Sequence, residues 1–247
     1  MITNAETTFE SALANLLIGA AFFCMRSCEY LVVPGAKDKK TKLLCVRNFR
    51  FYLDNQELDL HSPDLASADL VSITFEDQKN GDKFDTVNLQ NSNDKVLNPV
   101  IAWANTISRI MKSPGSTTNT TINSYLIGKK FYTITSKNAI NSLRNAVRSK
   151  GEKALGFKAS EIGTHSIRSG GAMAMYLATP QIPTYTIQLI GRWRSDAFLK
   201  YIRKQVKQFS ACISEAMVTN EDFSHIPEYA MVSPSKIRMV RSPKCKR

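Results

Sequence analysis

Apolar residues recur at intervals of three and four in several separate stretches of the chain, the spacing of helices that bury one face. The first stretch runs from Thr8 to Cys24, and its apolar positions are Leu13, Leu16, Leu17, Ala20 and Phe23. Similar spacing predicts further helices at Arg26–Val32, Leu97–Met111, Asn138–Ser149, Ser166–Ala178, Thr184–Ile190, Ser195–Val206 and Ser210–Val218. Most of the chain is therefore expected to be helical.

Short runs rich in β-branched and aromatic residues lie between the helices of the first half. They predict strands at Leu43–Val46, Phe49–Leu53, Val71–Phe75 and Phe84–Leu89. Asn80-Gly81 between the last two is a strong hairpin-turn sequence. The expected fold class is mainly α with a small antiparallel sheet (α+β), in one domain over residues 1–230 followed by a basic, disordered tail over 231–247.

Composition and length agree with a folded protein, because 43% of the 247 residues are hydrophobic and 22% are charged. The longest nearly uncharged apolar stretch, Ala12–Met25, is shorter than the roughly 20 residues that span a bilayer. No basic flank precedes it, so no signal peptide is expected and the protein is predicted to be intracellular. Of five cysteines, Cys24 and Cys28 are spaced to share one helix face as small apolar residues, which favours neither zinc nor a disulfide framework.

The positive charge is concentrated in the second half of the chain. The net charge is +12, and residues 141–247 alone hold 18 Lys and Arg against 7 Asp and Glu. Such a field suits a polyanionic partner, although a merely solubilising surface explains it equally well. The tail from Ser233 to Arg247 has six basic residues and no acid, which is typical of a nucleic-acid arm or a localisation signal.

Two spaced motifs in that basic half carry candidate chemistry. His165 and Arg168 stand three apart at a predicted helix start, where a guanidinium beside an imidazole is suited to receive a phosphate. Alone, the pair is more typical of an ordinary surface. Downstream, Gly191-Arg192-Trp193 is followed by Tyr201, nine residues after Arg192 on a basic amphipathic helix. A tyrosine there is by itself also typical of an interfacial core position.

Together these residues resemble the tyrosine recombinases, the phage-integrase family of DNA breaking-rejoining enzymes, and most closely its eukaryotic or mobile-element branches. The family pattern also has an arginine three residues before an acid, matched by Arg26 and Glu29, and a lysine in a hairpin, matched by Lys79. The resemblance covers about residues 10–207. It implies the recombinase catalytic-domain fold, without the N-terminal core-binding domain that family members commonly have.

The resemblance also implies a role for each position. Tyr201 attacks a DNA phosphodiester, Arg26 and Arg168 clamp its oxygens, and His165 assists with the proton or holds the phosphate. Lys79 protonates the leaving oxygen, with Lys83 as its nearest competitor. Glu29 and Trp193 are supporting residues. Further DNA contacts are expected from Lys83, Arg194, Lys200, Arg203 and Lys204. No metal or other cofactor is required, since the phosphotyrosine conserves the phosphodiester bond.

Two positions depart from the family pattern. Arg192 occupies the place of the usual His or Trp, so either Arg192, as a catalytic donor, or Trp193 fills that role. Cys24 occupies a place where the family often has glycine.

The expected function is site-specific recombination of duplex DNA by a homo-oligomer, a tetramer on DNA, located with DNA in the cell and in the nucleus if the host is eukaryotic. The alternatives are a type IB topoisomerase and a non-enzymatic DNA-binding protein descended from a recombinase.

Overall fold

The computed structural model describes residues 4–34, 41–78, 81–180, 182–195 and 199. All of these belong to one compact unit, Met1–Arg203. The proposed domain boundary at residue 230 and the predicted helices at Ser195–Val206 and Ser210–Val218 lie largely or wholly outside the described residues.

The longer helices are α1 (Asn4–Phe22), α3 (Pro99–Met111), α4 (Ser136–Lys150), α6 (Ser166–Tyr176) and α7 (Thr184–Gly191), with single turns at α2 (Ser27–Tyr30) and α5 (Glu152–Leu155). The strands are β1 (Phe49–Leu53), β2 (Gln56–Leu58), β3 (Leu70–Asp77), β4 (Lys83–Gln90), β5 (Ser124–Ile127) and β6 (Lys130–Thr133). The hydrophobic pattern predicted the longer helices and the strands β1, β3 and β4 in the order in which they occur, but it did not predict β2, β5, β6 or α5. The α+β class is confirmed.

The main sheet is antiparallel, in the order β2-β1-β3-β4. Its register places Phe49 opposite Ile73 and Val71 opposite Leu89, so alternate residues of neighbouring strands share the face toward the helices. The opposite face is polar, with Arg50, Ser72, Thr74, Thr86 and Asn88 lining a shallow depression of about 890 Å³.

Helix α3 covers the apolar face of this sheet, and α1 packs on α3. Trp103 of α3 is fully buried against Phe49, with ring centroids 4.8 Å apart. Gly19 of α1 allows this approach, because a Cβ there would lie 2.3 Å from the Trp103 ring. Asn98 starts α3 by accepting from the backbone N–H groups of Val100 and Ile101, while Pro99 fills the first turn.

Three local predictions differ from the structure. Leu43–Val46 is not a strand: Cys45 forms only an isolated bridge with Thr121 before a 3₁₀ turn. The sequence analysis also missed the β5–β6 hairpin. Cys24 and Cys28 do not share a helix face, since α1 ends at Phe22 and Cys28 belongs to α2. The helix is interrupted between the two cysteines because Cys24 takes a left-handed conformation, φ 44°.

None of the helices within the described ranges has the length and apolar character needed to cross a bilayer. Within those same ranges, no three His, Cys, Asp or Glu side chains lie together as a group that could hold a metal ion.

Candidate functional site

Three arginines from distant parts of the sequence meet where α1 ends and α7 ends. Arg26 follows α1, Arg168 lies in the first turn of α6, and Arg192 caps the C-terminus of α7. We call these three side chains, with Glu29 and Gln78, the arginine cluster. The cluster lies where β3 of the β3–β4 hairpin ends, because Gln78 is the first residue after that strand.

The cluster is assembled around the last turn of α7. Arg168 donates through Nη2 to the carbonyl of Gly191 at 2.5 Å, and Arg26 points Nη2 at the carbonyl of Arg192, the next residue, at 3.5 Å. Arg168 also donates through Nη1 to the carbonyl of Cys24. Two guanidiniums that are far apart in the sequence therefore lie side by side at one turn of backbone.

Cys24 has the backbone conformation that a glycine would favour. Its φ of 44° is uncommon for a residue with a Cβ. The turn directs the Cys24 carbonyl at Arg168 and buries the thiol. Burial raises the pKa of that thiol to about 11 despite the opposing effects of Arg168 and Arg192. The thiol is therefore neutral at physiological pH.

Glu29 is the acid that holds the cluster together, and it is 1% exposed. Its carboxylate accepts from Arg26 Nη1 at 3.0 Å and from Arg192 Nη2 at 2.6 Å. It also accepts from the backbone N–H of Arg26 at 2.7 Å, which closes a capping box on α2. These are the contacts of a bracing residue, the role expected for Glu29.

Arg192 has a different environment from the one its predicted catalytic role requires. Its side chain is fully enclosed, and its donors go to Glu29, to Gln78 Oε1 at 3.1 Å, and to the carbonyls of Phe23 and Ile190. Its guanidinium carbon stacks 3.5 Å from the centroid of the Phe75 ring. The contacts therefore favour a bracing role for Arg192 over a phosphate contact.

Trp193 covers Arg168. The indole lies 4.1 Å from the Arg168 guanidinium carbon, a cation–π contact. Gly191 makes room for the ring, since a Cβ at Gly191 would lie 1.5 Å from a Trp193 carbon. Arg192 turns the chain back with φ 54°. The Gly-Arg-Trp sequence thus places one side chain inside the cluster and the next one over it.

The cluster carries more positive than negative charge. Three guanidiniums surround one carboxylate, and burial together with the neighbouring Arg26 and Arg192 lowers the pKa of Arg168 to about 10. The pKa of Arg192 is also lowered, first by burial. At pH 7 the guanidiniums remain charged, and a bound anion would relieve their repulsion. Arg26 is the most accessible, with a side chain 16% exposed, whereas Arg168 is 2% exposed.

Gln78 is the residue that sequence analysis missed. It is 2% exposed, and its Oε1 lies 3.4 Å from Arg26 Nη1 and 3.1 Å from Arg192 Nε. Its Nε2 donates to Asp85 on β4 at 3.1 Å. The only signal available from the sequence was its position directly before Lys79. Gln78 ties the hairpin that contains Lys79 to two of the arginines.

The remaining predicted residues divide into two groups. His165 precedes α6 and its side chain is exposed, whereas Arg168, three residues later, is buried. The two side chains therefore lie in different environments, contrary to the prediction from their spacing. Lys83 and Arg194 are exposed, and Arg194 forms an ion pair with Asp82 of the hairpin turn. The other group lies outside the described residues: Lys79, Lys200, Tyr201, Arg203 and Lys204.

Comparison with known proteins adds no relative: no protein-family model, no curated protein and no solved structure matches this chain.

Proposed function

We propose that this protein is a DNA breaking-rejoining enzyme of the tyrosine recombinase type, which cleaves duplex DNA through Tyr201 and exchanges strands as a homo-oligomer. One observation carries the proposal: Arg26 and Arg168, the two predicted clamp residues, lie together at the turn formed by Gly191 and Arg192. The sequence motifs that name these residues are far apart in the chain, and nothing in their spacing alone requires them to meet.

The chemistry uses one phosphorus and five side chains. The phenol oxygen of Tyr201 forms a bond to phosphorus as the bond to the 5′-oxygen breaks, giving a 3′-phosphotyrosine and a free 5′-hydroxyl. His165 assists removal of the phenol proton, and Lys79 supplies a proton to the leaving oxygen. The reverse attack by a 5′-hydroxyl of another strand rejoins the DNA. The phosphodiester count is unchanged, so no energy-supplying cofactor is needed.

The charge of the cluster suits the transition state of this reaction. A phosphodiester carries one negative charge, and attack by an oxyanion adds a second on the non-bridging oxygens. Two guanidiniums side by side offer paired donors to those oxygens. Glu29 and Arg192 neutralise one another next to them, which leaves the excess positive charge on Arg26 and Arg168.

A second candidate function is DNA binding without cleavage, and the burial of Arg168 favours it. Because Trp193 covers the Arg168 guanidinium and two backbone carbonyls accept from it, a phosphate reaches Arg168 only if this turn moves. The enzymatic proposal therefore requires DNA binding to shift Trp193. A static cluster that holds the fold together would need no such movement.

A covalent-adduct experiment distinguishes the candidates. The protein is incubated with a pool of nicked duplexes of randomised sequence, and protein–DNA adducts are resolved on a denaturing gel. We expect an adduct that Tyr201→Phe abolishes and that Tyr185→Phe, at a 53% exposed tyrosine of α7, leaves unchanged. Adducts without strand exchange would indicate a topoisomerase, and binding without adducts would indicate the non-enzymatic protein. An adduct that survives in Tyr201→Phe would refute the nucleophile assignment.

The clamp role is tested by Arg168→Lys. A lysine keeps the charge but loses the planar fork, so we expect adduct formation to fall by about 100-fold or more. Arg47→Lys, at an exposed arginine paired with Glu76, is the matched control. Melting temperatures of both variants separate a catalytic loss from unfolding. Near-normal cleavage by a folded Arg168→Lys protein would exclude the clamp.

A further inference from the structure

Phe84 has an unusual combination of backbone and exposure. It is the second residue of β4, its φ is 54°, and its side chain is 71% exposed. Bulky residues rarely take a left-handed conformation, which Gly or Asn adopts at lower cost. The flanking residues pair normally with β3, Lys83 with Asp77 and Asp85 with Phe75. Neither the backbone nor the core therefore explains why an aromatic residue is present at this position.

The hairpin around Phe84 is fixed relative to the arginine cluster. Gln78 connects Asp85, the neighbour of Phe84, to Arg26. On the other side, Asp82 accepts from Arg194 Nε at 3.2 Å. Following those contacts, of 3.4 and 3.1 Å, across the Gln78 amide and the Asp85 side chain and along one Cα–Cα step, the Phe84 Cα is at most about 17 Å from Arg26 Nη1. Base pairs are stacked about 3.4 Å apart, so this distance is at most about five base steps.

The ring has both basic and acidic neighbours. Lys83 directly precedes Phe84 and is exposed, and the Arg194 side chain is 63% exposed while it pairs with Asp82 of the hairpin turn. Asp85 follows Phe84, and its carboxylate accepts from Gln78 Nε2. Exposed aromatic rings beside basic side chains are typical of surfaces that contact nucleic-acid bases, because every base presents a π-face and every nucleotide a phosphate. Apolar side chains also enter the minor groove as wedges between base steps.

Resting on the proposed function, we propose that Phe84 is a base-contacting residue: its ring packs on a base of the duplex a few steps from the phosphate held by the arginine cluster. Backbone strain at Phe84 then serves to present the ring outward. Such a contact does not depend on the DNA sequence, because every base presents a π-face. It therefore sets the depth and position of the hairpin on DNA and does not distinguish individual bases.

The test compares Phe84→Ala, Phe84→Trp and the control Val96→Ala, an exposed (69%) apolar residue outside the hairpin. DNA binding is measured by fluorescence anisotropy on a duplex of about 30 base pairs. Stacking of the Phe84 ring on a base is measured by the emission of 2-aminopurine, placed at one position of that duplex after another. We expect Phe84→Ala to weaken binding about 5- to 150-fold and to abolish the 2-aminopurine change. Phe84→Trp and Val96→Ala should resemble the unaltered protein.

The salt dependence gives a second readout. Phe84→Ala removes no charge and should leave the slope of log affinity against log salt unchanged, whereas Lys83→Ala should reduce it by about one if Lys83 contacts a phosphate. If Phe84→Ala binds DNA and alters 2-aminopurine emission as the unaltered protein does, the inference is overturned, and adduct formation in the same samples still supports the proposed function. Unchanged DNA binding with weakened self-association would assign the ring to a protein interface and also overturn it. If Phe84-dependent binding occurs but no adduct forms, the enzymatic proposal fails and the base contact stands.

Discussion

Glu29→Gln is the substitution that tests the arginine cluster most directly, because one oxygen pair of Glu29 connects two of its arginines. The change keeps the size and one acceptor but removes the charge that balances Arg192, whose side chain is fully enclosed. Removing one partner of a buried ion pair costs about 3–5 kcal/mol, because the other charge stays buried and unpaired. Because the glutamine side chain keeps one hydrogen-bond acceptor, we expect the free energy of unfolding to fall by about 3 kcal/mol, the lower limit of that range.

For a unit of this size, each kcal/mol lowers the melting temperature by about 2–4 °C. We therefore expect Glu29→Gln to melt about 6–12 °C lower by calorimetry or circular dichroism. Glu57→Gln is the matched control, since Glu57 pairs with Arg50 at 3.4 Å and both side chains are about half exposed. Exposed pairs contribute about 0–1 kcal/mol, so the control should melt within about 4 °C of the unaltered protein.

An added anion tests the electrostatic part of the reasoning. Without Glu29 the cluster has three guanidiniums and no carboxylate, so sulfate should stabilise Glu29→Gln more than it stabilises the control at equal ionic strength. The comparison between variants removes the general stabilising effect of sulfate on proteins. A Glu29→Gln protein that melts like the control, or that gains no more from sulfate, would refute the view that Glu29 holds mutually repelling arginines together.

Two other predictions concern the packing beneath the cluster. Gly171→Ala should destabilise the protein by about 1–3 kcal/mol in chemical denaturation, because the new Cβ would lie 2.1 Å from the carbonyl oxygen of Ala21. The control Gly170→Ala places its Cβ in open space and should be neutral or stabilising. Equal effects of the two substitutions would contradict the close contact of α1 and α6. Cys24 should resist iodoacetamide at pH 8 in the folded protein, because its pKa is raised to about 11 and the thiol is buried, and should react after unfolding. Peptide mass spectrometry measures the alkylation, and rapid labelling of Cys24 in folded protein would show that this turn opens.

Periodicity predicted the helices and the main hairpin because their apolar residues face a common core. It placed α3 and α7 almost to the residue, since Asn98 with Pro99 and Gly191 are strong end signals. Leu43–Val46 was predicted wrongly as a strand, because a short apolar run is equally compatible with a buried extended segment that forms only an isolated bridge. The β5–β6 hairpin was missed since its strands have four residues each and face solvent in part.

For the site, the resemblance to the tyrosine recombinases grouped Arg26, Glu29 and Arg168, but it could not assign the contacts of each side chain. The enclosure of Arg192 depends on a left-handed backbone turn that nothing in its residue type announces. Gln78 was missed because an isolated glutamine carries no motif, and its importance arises only from three partners brought together by the fold. The motifs therefore indicate the residues that the proposed chemistry requires. The residues that position them can be identified only from the three-dimensional structure.

The turn at Gly191 and Arg192 makes the two clamp arginines interdependent. Consecutive carbonyls of that turn accept from Arg168 and Arg26, and the same turn places Trp193 over Arg168. A displacement of this short piece of backbone would break one hydrogen bond of each guanidinium and move the indole in a single event. On the proposed function, both arginines would then become accessible to a phosphate together and not one after the other.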